Sequence, residues 1–496
     1  MAQAVARQPL VPGCAQGVKF SSRAGKVGLK NLGNTCFMNA GLQCLCHIEP
    51  LVAYFLNGDF EEDVNVTSPL SNRGALAKAF AELQRALWQS EQSVHNPCAL
   101  HRKLTQWAPH LFESYQQQDV QEFLAFCLDG LHEDLNRVAK PPPPISEKQE
   151  QEDERLAELH GQEFAAALTW CRHLERGKSF FVDLLQGQLR SSLTCLTCGH
   201  TSRRFDPFLY LSVPVTKDMS NVTDAISKYL EKEVLEGDEK WHCEKCKRKV
   251  SASKKIDLWK LPPVLVLHLK RFDFDAKTQK FEKTENRLNM KLSSLDLTEF
   301  CSSDQRDGAT YSVTCVANHS GAFGSGHYTA TCRVGGPGPS SWHYFNDSTV
   351  TPMKDGRSVV TRETYVIFLV RDGDPGDIAV RSSGSSGRGR RSAPSRKVIL
   401  RRQTLSAPGN WPHPEALVSA VLSATGTPSD GDGASSSGGD GAVDGKEPEE
   451  DPPAQTNGHG PPAGAEPLLK RQRTMREYFA HVGSSALGSS ALKTAR

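Results

Sequence analysis

Gly28-Leu29-Lys30-Asn31-Leu32-Gly33-Asn34-Thr35-Cys36-Phe37-Met38-Asn39 is the stretch from which the rest of the chain is read. Beyond Thr35, the residues Phe37, Ala40, Cys44 and Ile48 recur at helical spacing, and Met38, Leu42 and Leu45 make the other side apolar too. The pattern predicts a helix buried all round. Asn34 or Thr35 can cap its first turn, which places the Cys36 sulfur where unpaired backbone N–H groups converge. A helix N-terminus and a nearby imidazolium both lower a thiol's pKa, and the thiolate is the reactive form of cysteine. The same N–H groups, helped by the Asn31 side-chain amide, can hold the oxyanion of a tetrahedral intermediate. An inert core cysteine is the ordinary alternative for an isolated thiol, so the reading turns on whether the chain supplies a base.

It does so far downstream. Tyr311-Ser312-Val313 and Ala317-Asn318-His319-Ser320-Gly321 lead into Gly326-His327-Tyr328-Thr329-Ala330, followed by Trp342-His343-Tyr344-Phe345-Asn346-Asp347-Ser348. Residues 28–43 resemble the cysteine box of the ubiquitin-specific proteases, the papain-like deubiquitinating cysteine peptidases, and the downstream run resembles their histidine box. The resemblance covers most of residues 28–371 and implies a nucleophile at Cys36 with a general base at His327. His319 is the rival histidine and is read as organising structure. The family carries Asp or Asn where this chain has Asn346, which is assigned as the group that orients His327. Adjacent residues on an extended segment face opposite ways, so Asp347 is kept as a second candidate, acting through water.

Cys195-Leu196-Thr197-Cys198 and Cys243-Glu244-Lys245-Cys246 form two further pairs. Four thiolates from two tight turns suit one tetrahedral zinc ion, closed to chemistry and acting as a structural clip. No organic cofactor is expected. In the resembling family these pairs sit at the tip of fingers that cup ubiquitin. The stripe Val120, Phe123, Leu124, Cys127, Leu131 and Leu135 predicts another helix, and Asp119 to Glu122 has the spacing of a capping box. In the family the Gln-Gln-Asp-x-x-Glu-Phe segment borders the channel for the arginine-containing ubiquitin tail, so Asp119 and Glu122 are candidate substrate-binding carboxylates.

Composition fits a large enzyme domain: 496 residues, 38% hydrophobic, with a formal charge of +2. The first twenty residues hold no continuous apolar segment, and no apolar run has the length of a membrane span. The 14 cysteines show no disulfide framework, and a thiol nucleophile with thiolate ligands asks for a reducing compartment, so cytoplasm and nucleus are the expected locations.

The expected architecture is α+β, a papain-like peptidase of the ubiquitin-specific type. Residues 1–27 read as a flexible arm and 28–372 as the catalytic domain. A helical thumb occupies about 28–175, with Leu76, Phe80, Leu83 and Leu87 as one stripe. Zinc-bearing fingers and a β-rich palm occupy about 176–372. Pro141 to Pro144 and the charged run Glu147 to Glu158 read as a surface insertion, helical beyond Glu150. Leu209 to Val215 alternate, whereas Val264 to Leu269 and Tyr365 to Val370 are continuous apolar runs suited to buried strands. His268 falls opposite the Leu265, Leu267, Leu269 face and is read as structural.

From about residue 373 to 496 the composition shifts to Gly, Ser, Pro and charge, which predicts a disordered tail. It carries a basic block at 381–402, read as a solvated charge run rather than a nucleic-acid contact, and an acidic block at 430–451. Gln472-Arg473-Thr474-Met475-Arg476-Glu477-Tyr478-Phe479 resembles a PIP box, the peptide that binds the sliding clamp PCNA. Such a turn projects Met475, Tyr478 and Phe479 as an apolar plug with Gln472 docked beside it. Leu468, Gln472, Met475, Phe479 and Val482 also fit a generic amphipathic helix. The combined expectation is a thiol-dependent deubiquitinase acting on ubiquitin and ubiquitinated proteins. Its competitors are a hydrolase for another ubiquitin-like modifier and a non-catalytic ubiquitin-binding scaffold.

Overall fold

In chain order the elements are β1 (Gly28–Leu29), α1 (Cys36–Leu45), α2 (Glu49–Leu56), α3 (Ala75–Trp88), β2 (Val94–His95), α4 (Cys98–Trp107), α5 (Val120–Asp134), α6 (Glu147–His160), α7 (Gln162–Arg176) and α8 (Phe180–Leu185). The strand-rich half follows with β3 (Gly187–Cys195), β4 (Thr201–Phe208), β5 (Leu211–Pro214), α9 (Val222–Tyr229), β6 (Glu233–Leu235), β7 (Trp241–Cys243), β8 (Arg248–Val250) and β9 (Ala252–Lys260). It closes with β10 (Val264–Lys270), β11 (Phe272–Asp275), β12 (Lys280–Lys283), β13 (Leu295–Asp296), β14 (Thr310–Ala322), β15 (Ser325–Val334), β16 (Ser341–Asn346), β17 (Thr349–Pro352) and β18 (Thr364–Arg371). This is a computed structural model, and it describes residues 11–373 apart from 12, 16, 110–115, 276–279, 303–308, 336–340 and 355. The tail blocks and the PIP-box-like residues Gln472, Met475, Tyr478 and Phe479 lie outside the described residues.

The central sheet has the order β17-β16-β15-β14-β18-β10-β5, with β13 added to β14. One face packs on the helices and the other on α9 and the loops around it. Along β10, Val264 and Val266 enter the helix-side core while Leu265, Leu267 and Leu269 enter the second core. Both faces being covered explains the unbroken apolar runs of β10 and β18, although these two strands pair antiparallel. In β14 a bulge falls between Val313 and Cys315. Odd-numbered Tyr311 and Val313 face the second core before it, and odd-numbered Cys315 and Ala317 face the helices after it. One extra residue therefore switches the faces of the strand that leads to His327.

The helical half is pinned by buried polar contacts as well as apolar stripes. Leu76, Phe80, Leu83 and Leu87 of α3 are all buried, as that stripe requires. Its N-terminus begins at Gly74, which has no side chain to cap with. Asp134, fully buried at the end of α5, supplies the cap instead, accepting from Leu76 N at 2.8 Å, Ala77 N at 3.1 Å, Asn72 N at 2.6 Å and Ser71 Oγ at 3.0 Å. Four donors offset the cost of burying that carboxylate.

Three expectations need correction. The arm expected at residues 1–27 packs where it is described: Val11, Cys14, Ala24 and Val27 are buried, Ser21 N donates to Trp88 O at 3.1 Å, and Gly25 N donates to Leu87 O at 3.0 Å. Its apolar residues are too sparse for a periodic signal, yet Val11, Cys14, Ala24 and Val27 join the helix-side core and Val18 and Phe20 pack against it. The charged insertion is helical from Glu147, because Ser146 Oγ accepts from Gln149 N at 3.3 Å and starts the helix there. Helical structure also runs past 175, through α8, before the first long strand.

A second sheet, β4-β3-β9-β6, projects as an extension, with the small β7–β8 hairpin at its end. Among the described residues no helix is long and apolar enough to cross a membrane.

Candidate active site and metal centre

Cys36 is the first residue of α1, and all ten residues of that helix are buried. Thr35 occupies the cap position but its side chain does not cap the helix. Its hydroxyl accepts from Leu32 N at 2.9 Å, because Asn31 has claimed the loop: Asn31 Oδ1 accepts from Gly33 N at 2.9 Å and Thr35 N at 3.2 Å. Gly33 and Asn34 take positive φ, 110° and 53°, which tightens the turn so that the helix opens at Cys36.

The Cys36 sulfur is approached by the backbone N–H groups of Tyr328, Phe37 and Cys36 itself, which draw its pKa down. Burial outweighs them and pushes the thiol up. The expected depression is therefore absent in the free protein. The N–H of Tyr328 comes from β15, so the strand that carries His327 lies directly against the sulfur.

His327 Nε2 donates to Asn346 Oδ1 at 2.7 Å, across from the adjoining strand β16. Asp347 turns away from the histidine, and the reason differs from simple alternation. It sits in the two-residue turn between β16 and β17 with φ 49°. Its carboxylate accepts from Asn31 Nδ2 at 2.9 Å through Oδ2 and from Asn39 Nδ2 at 2.7 Å through Oδ1. Its backbone carbonyl accepts from Leu29 N at 2.8 Å. Gly28 permits this docking, because a Cβ there would lie 2.4 Å from Ser348 O. The two neighbours thus divide the site, Asn346 facing the imidazole and Asp347 fixing the Asn31 and Asn39 amides near Cys36.

On the other side of β15, Gln117 Oε1 accepts from Gly326 N at 2.9 Å. Asp119 caps α5 through Oδ1, accepting from Gln121 N at 2.7 Å and Glu122 N at 3.3 Å, while Oδ2 accepts from Tyr365 OH at 2.6 Å and Tyr328 OH at 3.4 Å. Asp119 therefore ties the start of α5 to Tyr328 of β15, the strand that lies against Cys36, and to Tyr365 of β18. Glu122 is exposed one turn further on. His268 donates to or accepts from Ser212 Oγ at 2.9 Å through Nδ1, and burial lowers it to about 4. His319 packs edge-on to Phe272 and beside Tyr328.

Asn39, Gln117, Tyr328 and Tyr365 were not singled out from sequence. Asn39 carried a signal, since a polar side chain three residues beyond Cys36 in an otherwise apolar buried helix must find a partner. Gln43 one turn later shows the same rule, donating to Val27 O at 2.9 Å.

The four knuckle cysteines meet at the tip of the extension. Cys195 and Cys246 sulfurs are 3.9 Å apart, Cys198 and Cys243 are 3.7 Å apart, and all four lie within 4.8 Å of one another. A tetrahedral site with about 2.3 Å metal–sulfur bonds asks for sulfurs about 3.8 Å apart, so the set fits zinc. Cys195 Sγ accepts from Thr197 N and Cys198 N at 3.4 Å, and Cys243 Sγ accepts from Cys246 N at 3.5 Å, as thiolate ligands in tight turns do.

Residues 27–369 match the family described as ubiquitin carboxyl-terminal hydrolase. The chain is similar to ubiquitin carboxyl-terminal hydrolase 2 of Rattus norvegicus, at 42% identity over 351 residues, covering 70% of this chain and 54% of the relative. It is also similar to ubiquitin carboxyl-terminal hydrolase 21 of Bos taurus, at 36% identity over 359 residues, covering 70% of this chain and 61% of the relative. The chain thus spans about half the length of the first of these relatives. Among solved structures it resembles a chain of the SAGA Ubp8/Sgf11/Sus1/Sgf73 DUB module bound to ubiquitin aldehyde, with a TM-score of 0.55, 25% identity and 72% of each chain covered.

Proposed function

The chain belongs to the ubiquitin carboxyl-terminal hydrolase family, and from that premise we propose that it is a thiol-dependent deubiquitinase. Cys36 attacks the carbonyl of the ubiquitin C-terminal glycine while His327 takes the thiol proton. Burial pushes the Cys36 thiol up in the free protein, and the proton passes to the imidazole as the substrate enters. The tetrahedral oxyanion is held by the N–H groups at the start of α1 and by Asn31, which has one amide hydrogen on Asp347 and the other for the oxyanion. His327 returns the proton to the departing lysine amine, leaving a thioester. Water, deprotonated by the same imidazole, then releases ubiquitin with a free carboxylate. Asn346 keeps the ring in the tautomer this needs, its carbonyl accepting the Nε2 proton.

The observation that carries this reading is the convergence of Cys36, at the head of a buried helix, on the strand where His327 is held by Asn346 at 2.7 Å. Glu122, with the Asp119 charge behind it, is the proposed contact for the arginines of the ubiquitin tail. A structural zinc ion held by Cys195, Cys198, Cys243 and Cys246 would supply no chemistry, only closure of the extension. Recruitment to PCNA through Gln472, Met475, Tyr478 and Phe479 rests on the motif's spacing, and cytoplasm and nucleus on the thiol chemistry. Tethering would raise the local concentration of conjugates near the clamp.

The test is to incubate the full chain with ubiquitin and with rival ubiquitin-like modifiers, each carrying a C-terminal propargyl group, and to map the adduct. A ubiquitin adduct on Cys36 is expected. An adduct with a different modifier alone would make it that modifier's hydrolase, and ubiquitin binding without an adduct would make it a scaffold. For the tail, a peptide of residues 466–484 that shows no heat of binding to PCNA ends the clamp reading.

A further inference from the structure

Two hairpins are fastened together next to His327. In the β14–β15 hairpin, Ser320 stands opposite His327 and Gly321 opposite Gly326, so the aim of the imidazole depends on where β14 ends. The neighbour on its other edge, β18, pairs only as far as Asn318 with Thr364, and His319 N makes a last bond to Glu363 O at 2.8 Å. Beyond that point the outward carbonyls of β14 have no strand to meet, and each needs a donor. Lys283, the last residue of β12, provides it: its Nζ donates to His319 O at 2.8 Å and to Gly321 O at 3.1 Å. Those carbonyls flank Ser320, the residue paired with His327.

A second clasp lies further out. Phe281 stacks on Phe323 at the tip of the β14–β15 turn, ring centroids 3.9 Å apart and planes 15° apart. Phe272 of β11 meets Phe323 edge-on at 5.7 Å and His319 at 5.4 Å. The His319 ring in turn presses on the residue before the base, since a Cβ on Gly326 would fall 2.5 Å from His319 Nε2.

We propose that Lys283 is a positioning residue for the reaction, its ammonium group standing in for the missing strand and holding the β14–β15 hairpin so that His327 faces Cys36. This rests on the thiol–imidazole reading above. It gives the β11–β12 hairpin a role in setting the rate.

The experiment compares Lys283→Met and Lys283→Arg in the full chain. One readout is kcat and KM on a fluorogenic ubiquitin C-terminal amide, per active site titrated with ubiquitin propargylamide. The other is the pH profile of Cys36 alkylation by iodoacetamide without ubiquitin, with His327→Ala as reference. K283M is expected to lower kcat about tenfold with KM changed less than about twofold, and to move the alkylation profile toward that of H327A. K283R, whose guanidinium reaches both carbonyls, restores most of both. A K283M protein with wild-type kcat per titrated site and a wild-type alkylation profile overturns the proposal, even if it melts at a lower temperature. Should K283M not fold, K283Q, which keeps one donor, is read by the same assays against the same standards. A wild-type chain that turns over no ubiquitin substrate defeats the deubiquitinase reading instead, and leaves the alkylation profiles to decide on Lys283.

Discussion

Cys36 and the knuckle cysteines are the same functional group in opposite company. The sulfurs of Cys36, Cys195 and Cys243 all receive backbone N–H donors, from Tyr328 and Phe37 at Cys36, from Thr197 and Cys198 at Cys195, and from Cys246 at Cys243. Cys36 has an imidazole strand against it, whereas each knuckle sulfur has another sulfur within 3.9 Å. A lone thiol beside a base can give up its proton to a substrate-driven step. Four crowded thiolates repel one another unless a cation sits among them. What a cysteine does here follows from how many sulfurs share its space, more than from its hydrogen bonds.

The sharpest way to break the comparison is to remove one sulfur from each place. Cys36→Ala should abolish hydrolysis of a ubiquitin amide, lowering kcat by about 10⁴-fold or more, while ubiquitin binding and thermal stability stay near wild type. Cys243→Ser should do the reverse in kind. It should cost the extension its closure, lower the melting temperature, and raise KM by an order of magnitude or so. Iodoacetamide should still label Cys36 in that variant at close to the wild-type rate. If C243S instead silenced Cys36 alkylation, the two sites would be one cooperative unit and the division drawn above would be wrong.

A smaller effect separates the two neighbours Asn346 and Asp347. Asn346→Ala removes the acceptor of His327 Nε2 and should lower kcat about 10- to 100-fold, with Asn346→Asp recovering part of it. Asp347→Ala frees Asn31 and Asn39 rather than the imidazole. Its loss should therefore show in kcat, while the pH profile of Cys36 alkylation moves only to lower pH, because the Asp347 charge is one of the groups that push the thiol up. Equal shifts of that profile in both variants would show that Asp347 also acts on the histidine.

How much of this was legible follows the distance over which each contact forms. Cys36, His327, Asn346 and the four knuckle cysteines announce themselves because their neighbours in sequence shape their turns. The job of Asp347 was hidden by a single backbone angle, since the left-handed turn at φ 49° sends its side chain to Asn31 and Asn39. The pKa direction at Cys36 was misjudged because a sequence displays the helix start but not the burial that opposes it. Asp134 capping α3 and Lys283 holding β14 are contacts between elements far apart in the chain, and no local pattern points to either. The bulge in β14 is similarly silent, because Thr314 looks like any other strand residue.

The last and smallest effect asks which of the two regions acid attacks first. His132, His268 and His319 are each lowered to about 4 by burial, aided at His132 by His173 and at His319 by Lys283, with Asp119 opposing at the last two. Folded, they stay neutral between their ordinary value of 6.5 and about 4, whereas in the unfolded chain they take up protons over that range. The unfolded state therefore binds more protons, and stability is fully present above pH 6.5, falls as pH drops toward 4, and falls no further on their account below it. Zinc held by the knuckle thiolates would be lost as they are protonated, which would threaten the extension over an overlapping range. Urea midpoints measured down this pH range with added zinc, and again with a chelator, separate the two. A decline of the same slope in both series belongs to the three imidazoles and the helix–sheet core. A decline that vanishes under the chelator would assign the acid sensitivity to the knuckles, and would mean that the buried histidines find their protons without unfolding the chain.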